Sequence, residues 1–187
     1  MSSPAFTETA VPARTAWTID PTHSLVEFSA KHMMITTVKG RFADVSGTIH
    51  TDDANPANAS VEATIQTASI DTRTEQRDQH LRTADFLDVE KYPTISFRST
   101  RIEGKGADFK LTGNLTMHGV TKPITLDVTF EGRNKDPWGG ERSGFSASGK
   151  LDRREWGLTW NQALETGGLL VSSDIKIHLD IQAIRAA

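Results

Sequence analysis

The 187 residues carry 21 Lys and Arg against 24 Asp and Glu, a net charge of −3, which argues against the clustered cationic surface on which nucleic-acid affinity rests. Cysteine is absent, so disulfides, thiolate nucleophiles and Cys-ligated zinc or iron–sulfur centres are excluded. The length suits one domain and the hydrophobic share of 36% is modest, so the placement of those residues along the chain decides the fold.

Residues 1–15, MSSPAFTETAVPART, are mostly small or polar and are expected to form a flexible arm before a single domain over 16–187. They show no basic region followed by an apolar stretch, so the expected compartment is the cytoplasm, or the periplasm or exterior where a leader has been removed. No stretch reaches the roughly 18 continuous apolar residues of a membrane helix, so no membrane span is expected.

From Ala16 onward the governing signal is alternation, the period of a strand with one wet face. The spacing predicts strands over about 23–32, 40–51, 60–70, 94–103, 108–117, 123–132, 143–152 and 171–185. In the first, Val26, Phe28 and Ala30 share a face, with His32 in phase. The stretch 40–51 carries apolar residues on both faces, and its inward side is not assignable from the pattern. Weaker faces follow at Val61, Ala63 and Ile65, then at Ile95 and Phe97. Leu111, Gly113, Leu115 and Met117 line up next, and Ile124, Leu126, Val128 and Phe130 after them. The link His118 to Pro123 supplies Gly119 for a turn, which makes this pair a hairpin. Phe145 and Ala147 then share a face, as do Ile175, Ile177, Leu179 and Ile181 in the last strand.

Two segments break the alternation. Thr74 to Phe86 lacks Gly and Pro and is rich in helix formers, which predicts a helix of about three turns that must dock on the sheet to persist. Residues 153–170 show no period, and a loop this long is commonly functional or mobile; a lid and an interface between copies both fit it. Eight long strands with one apolar face, joined by short turns, favour a closed antiparallel barrel, because closure removes exposed edges. Such a barrel is just wide enough to hold side chains or one narrow ligand. Small residues on the inner faces, Ala30, Ala63, Gly113, Ala147 and Gly149, are expected to leave room along the axis.

Motifs for chemistry are scarce. Gly144 to Lys150 satisfies G-x-x-x-x-G-K, but Leu151 follows and the motif alternates like a strand, which is the wrong context for a phosphate loop. The six histidines show none of the spacings that place two imidazoles on one face, so no metal or cofactor is expected. Arg77, Asp78 and His80 suggest acid–base work, although a solvated, salt-bridged helix face is the preferred reading of such a cluster.

Several segments together resemble a known family. Asp71-Thr72, then Arg77-Asp78-x-His80-Leu81-Arg82-x-x-Asp85-Phe86 and Tyr92-Pro93, resembles the central signature of the YceI-like family. Gly113-x-Leu115-Thr116-Met117-x-Gly119-Val120-Thr121-Lys122-Pro123 is similar to a second family segment, and Asp136-Pro137-Trp138-Gly139-Gly140-x-Arg142-x-Gly144-Phe145 to a third. Ile19-Asp20, His23-Ser24, Phe28 and His32 fit the family's first strands, and the resemblance runs from about Trp17 to Ile184. It implies an all-β fold, an extended eight-stranded antiparallel lipocalin-like barrel with one short helix, whose interior is a long apolar tunnel. It also implies a polyisoprenoid ligand, of isoprenoid quinone or prenyl pyrophosphate type, or another long-chain lipid, bound for carriage, storage or sequestration. It transfers no catalytic residue.

The tunnel is then expected to be lined by Val26, Phe28, Ala30 and Ile65, by Phe97, Leu115, Met117 and Leu126, and by Val128, Phe145, Ile177 and Leu179. His32, Arg77, His80 and Arg82 are the candidates to meet a polar head. The expected partner is the lipid alone, with no nucleic acid, and with a homodimer left open. Two rival readings stand beside this one. The first is an enzyme acting on a lipid or quinone through Arg77, Asp78 and His80; the second is a ligand-free, stress-protective barrel.

Overall fold

The computed structural model describes residues 14–187. In chain order the strands are β1 (Thr15–Ile19), β2 (Leu25–His32), β3 (Thr36–Phe42), β4 (Val45–Thr51), β5 (Ser60–Gln66) and β6 (Ile70–Asp71). They continue with β7 (Thr94–Lys105), β8 (Asp108–Met117), β9 (Val120–Lys135), β10 (Glu141–Asp152) and β11 (Asp174–Arg185). One helix, α1 (Glu75–Arg82), lies between β6 and β7. Strands β1, β4, β5, β7, β8, β9, β10 and β11 hydrogen-bond in that order, and β1 pairs back onto β11, which closes an eight-stranded antiparallel barrel.

The three remaining strands extend the first three staves of this barrel. β11 pairs with β1 through Ala183–Arg185 and with β2 through Lys176–Asp180, so β1 and β2 are one stave interrupted by a short 3₁₀ turn at Pro21–His23. Pro21 has no N–H to give a ladder, and the Asp20 carboxylate accepts from the Thr22 backbone N–H to start the turn. β3 and β4 form a second stave and β5 and β6 a third, broken at 43–44 and at 67–69. The expected number of staves therefore holds, but β1 and most of β3 escape the sequence pattern. Thr15, expected in the N-terminal arm, opens β1; the rest of that arm, up to residue 13, lies outside the described residues.

The predicted helix over Thr74 to Phe86 is shorter in the structure. It stops at Arg82, because the Thr83 backbone N–H and side-chain hydroxyl both donate to the His80 carbonyl. The hairpin between β8 and β9 turns through two residues, His118 (φ 53°) and Gly119 (φ 73°), the left-handed pair of a tight hairpin turn. The His118 ring is anchored, its Nδ1 lying 3.1 Å from the Trp156 carbonyl oxygen. Trp156, 1% exposed, closes the short 3₁₀ turn Arg153–Trp156 and donates from Nε1 to the Leu115 carbonyl at 3.0 Å. That bond pins the start of the long 153–173 connection to the barrel wall.

Strand pairing sets the two ends apart. The helix end carries α1, the β2–β3 turn, the His118–Gly119 turn and the 153–173 connection, and the opposite end carries the 52–59 loop and the β7–β8 and β9–β10 turns. Gly113 and Gly149 do not leave void along the axis as expected. A Cβ at Gly113 would sit 2.3 Å from the tip of Phe97, and one at Gly149 would sit 2.6 Å from a methyl of Leu126. Each glycine is instead the seat of a neighbour's large side chain.

Candidate functional site

The inner faces of the staves enclose a cavity of about 950 Å³ that reaches from Leu81, Phe86 and Leu87 at the helix end to Asp52, Pro56 and Ala57 at the other. Pockets for small ligands span roughly 300–1,000 Å³, so the barrel is hollow. Phe28, Ala30, Ile65 and Phe97 are only half-buried although they point inward, and so are Phe145, Ile177 and Leu179, because their inner surfaces face this space. All of these line the cavity, together with Val26, Leu115, Met117 and Leu126. Of the lining residues expected from sequence, only Val128 does not reach it. Val128 is in phase with its strand but lies 6% exposed in the wall cluster of Leu111, Leu126 and Ala147.

The charged residues expected at a polar head are placed otherwise. His32 is exposed on the rim, where it bridges to Val171. Arg77 donates from Nε to the Thr72 hydroxyl and from Nη2 to the Thr72 carbonyl, both at 2.8 Å. Asp78 is buried and accepts from the Thr72 backbone N–H at 2.9 Å and from its hydroxyl at 2.5 Å. Arg82 reaches back to the Ala68 and Ile70 carbonyls at 3.1 and 3.0 Å. His80 pairs with Asp85 at 2.8 Å and sets its ring edge against Phe86 and Trp160. None of the four head candidates lines the cavity. The helix turns Leu81 inward, and its long basic side chains fold back on the carbonyls that precede it, so they dock α1 rather than meet a ligand. Asp78 and His80 accordingly do not converge on one point of the cavity.

The cation that does line the cavity at this end is Arg153, 4% exposed. Its Nε donates to the Ser172 carbonyl at 3.0 Å and its Nη1 to the Leu158 carbonyl at 2.6 Å. Its guanidinium lies 6.0 Å from the centre of the Phe86 ring. Burial pushes its pKa down from the ordinary arginine value, because desolvation disfavours the charged form. Sequence reasoning passed over it, since it opens the stretch without periodicity; the Asp152-Arg153-Arg154 run gives no direction for either side chain.

At the opposite end Arg133 pairs with Asp53 through both oxygens at 2.9 Å and lies 4.9 Å over the Trp17 ring. The hydrogen bond from Arg133 holds the Asp53 carboxyl below the usual carboxylate range. Asp52 accepts from the backbone N–H groups of Ala54 and Asn55 and from the Asn58 amide, which shapes the 52–59 loop at this mouth. Asp20 and Asp136 share Arg142, at 2.9 and 3.1 Å, a network that ties β10 to the β1–β2 break. Among the described residues no group of three or more His, Asp or Glu side chains is placed to hold a metal ion.

The YceI-like domain model matches residues 17–183. Protein YceI of Salmonella newport is 43% identical over 137 residues, which is 73% of this chain and 72% of that protein. The YCEI protein of Campylobacter jejuni, a solved structure, superposes with a TM-score of 0.72 at 34% identity, over 84% of this chain and 90% of that one. A polyisoprenoid binding domain from Saccharophagus degradans shares the fold, with a TM-score of 0.65 at 14% identity over 92% of this chain and 99% of that one. With the closed barrel, its single docked helix and these matches in place, the chain belongs to the YceI-like family.

Proposed function

We propose that this protein binds a long-chain isoprenoid, or a lipid of similar shape, inside the barrel, for carriage, storage or sequestration, and performs no chemistry on it. The observation that carries the reading is the cavity itself: about 950 Å³, running between the two ends and walled by apolar side chains along its length. The polyisoprenoid-binding Saccharophagus degradans domain, which has the same fold, supports it. Each buried methylene contributes ~0.8 kcal/mol, so a ligand burying about fifteen carbons gains ~12 kcal/mol before costs. Association and chain ordering take back ~4 kcal/mol at the low end, which leaves ~8 kcal/mol, a micromolar affinity. A ligand held this way needs few polar contacts, in keeping with the scarcity of chemical motifs. The enzyme reading loses its support because Arg77 and Asp78 are tied to Thr72 and His80 to Asp85, and none of the three lines the cavity; the ligand-free reading requires a packed interior.

Titration calorimetry with geranylgeraniol tests the proposal. Micromolar binding with a negative heat-capacity change, the mark of apolar burial, is the expected result. Phe97→Arg, which puts a charge in the lumen, is expected to abolish it while the β-sheet circular dichroism is retained; Ile177→Trp does the same without a charge. Absence of binding to the unmodified protein, or undiminished binding to both folded variants, overturns the proposal.

A further inference from the structure

Among the described residues Arg153 is the one buried cation, and no carboxylate lies within ion-pair distance of it, although Asp152 acts on it through space. Two arginines at the other end of the barrel, the exposed Arg133 and the half-buried Arg142, are each matched to carboxylates, Arg133 to Asp53 and Arg142 to Asp20 and Asp136. Arg153 forms no ion pair among the described residues, and its neighbour Asp152 is held by Arg154 through both oxygens, at distances down to 2.6 Å. A guanidinium has five N–H donors in a rigid fork. Here two backbone carbonyls take one donor each from Nε and Nη1, and Nη2 has no partner among the described residues. Among the described residues no fully sealed side-chain nitrogen or oxygen lacks a hydrogen bond, so the unbonded Nη2 is not sealed off, and Arg153 is one of the residues that line the cavity. Phe86 covers the guanidinium from one side, and Leu158 fixes it from another.

A buried charge is costly unless it is paired and hydrogen-bonded, and an anionic ligand in the cavity would supply that pairing. The carbonyls of Leu158 and Ser172 aim the fork but carry no charge. What remains is a directed cationic donor at the helix end of an apolar channel, geometry suited to oxygen-rich anions. We propose that Arg153 recognises an anionic head, a phosphate or carboxylate, so that the lipid lies with its head at the helix end and its tail running toward the 52–59 loop. This deepens the binding reading above and rests on it. At the other end the cavity is lined by two cations, Arg133, which is paired with Asp53, and Lys105, which is exposed; Lys105 is the competing one, but its ammonium is already solvated and has less to gain from a ligand.

Three probes with one C20 chain separate these statements: geranylgeranyl diphosphate, geranylgeranoic acid and geranylgeraniol. In the unmodified protein at least one of the two anions is expected to bind ten-fold or more tightly than the alcohol, and the anion that does so identifies the head. In Arg153→Gln that advantage is expected to fall below three-fold while the alcohol binds as before. Arg153→Lys keeps the charge and retains most of the advantage, and Lys105→Gln leaves it intact. Equal binding of all three probes overturns the head assignment and leaves the lipid reading standing, whereas failure of all three to bind overturns the lipid reading itself. An advantage lost in Lys105→Gln rather than at Arg153 reverses the ligand's direction and refutes the proposal. Should Arg153→Gln fail to fold, the unmodified protein, Arg153→Lys and Lys105→Gln still decide it.

Discussion

Ala63 offers a way to shorten the cavity without touching its charged groups. It sits in the middle of β5, paired across to Gly47 on β4 and Phe97 on β7, and it lines the lumen. Ala63→Phe adds about six carbons in the space a ligand chain would occupy, so a chain that spans this level loses about 5 kcal/mol of gross burial at ~0.8 kcal/mol per methylene. Even if bending of the chain recovers half, the remaining ~2.5 kcal/mol is a roughly 70-fold loss of affinity. A C10 alcohol such as geraniol needs only one side of the obstruction and should lose less than about five-fold. The folded protein should not suffer, because the ring enters existing apolar space rather than a packed core; its thermal midpoint should hold or rise. The assay is paired calorimetric titration of geranylgeraniol and geraniol into both proteins, with a melt of each. An unchanged affinity for the C20 alcohol would refute the idea that a chain runs along the lumen past Ala63. An equal loss for both alcohols would show a local mouth rather than a channel.

Two other substitutions test how the barrel is held. Gly113→Ala places a methyl 2.3 Å from the Phe97 ring tip and 2.6 Å from the Arg98 carbonyl, so chemical unfolding should report a loss of about 1–3 kcal/mol from overpacking. No loss would mean that Phe97 is not seated there. Asp20 is buried, and its carboxyl is held well below its usual 3.8, first by the Thr22 hydroxyl, with His23 and Arg142 adding to it. A depressed carboxylate stabilises the fold above its unfolded pKa and loses that contribution as pH falls through the lower folded value. Asp20→Asn should therefore melt below the unmodified protein at pH 7, and the gap should narrow as pH drops beneath 3.8. A gap constant down to pH 2 would show that the carboxylate's charge is not what matters.

Much of this architecture was legible because alternation survives wherever a stave is unbroken. β8 and β11 keep one phase from end to end and β9 does so up to Phe130, after which a bulge shifts its register against β10, and the inner residues of these stretches are legible one by one. The stretch 40–51 resisted because it straddles the β3–β4 break: Phe42 and Val45 both pack in the core although three residues apart, and an odd step reverses which face is inward. β1 is too short at Thr15–Ile19 to show a period, yet it carries Trp17, 1% exposed, and closes the ring. The charged part of the site was misread for a different reason. Sequence shows that Arg77, His80 and Arg82 are clustered but not that they fold back on Thr72, Asp85, Ala68 and Ile70. Arg153 was invisible because its aim depends on carbonyls from Leu158 and Ser172, set by an irregular connection with no period to read. Val128 shows the converse limit, since correct phase places a residue in the wall without guaranteeing that it meets the lumen.

The central claim is that the hollow barrel exists to hold a lipid. Native mass spectrometry of the protein purified without detergent, followed by organic extraction and mass analysis of the extract, addresses it most directly. The account predicts a population heavier than the bare chain by one discrete mass of a long-chain isoprenoid or similar lipid, recovered in the extract and reduced in Ala63→Phe. A protein that carries no such mass, and takes none up when offered C20 lipids, would contradict it.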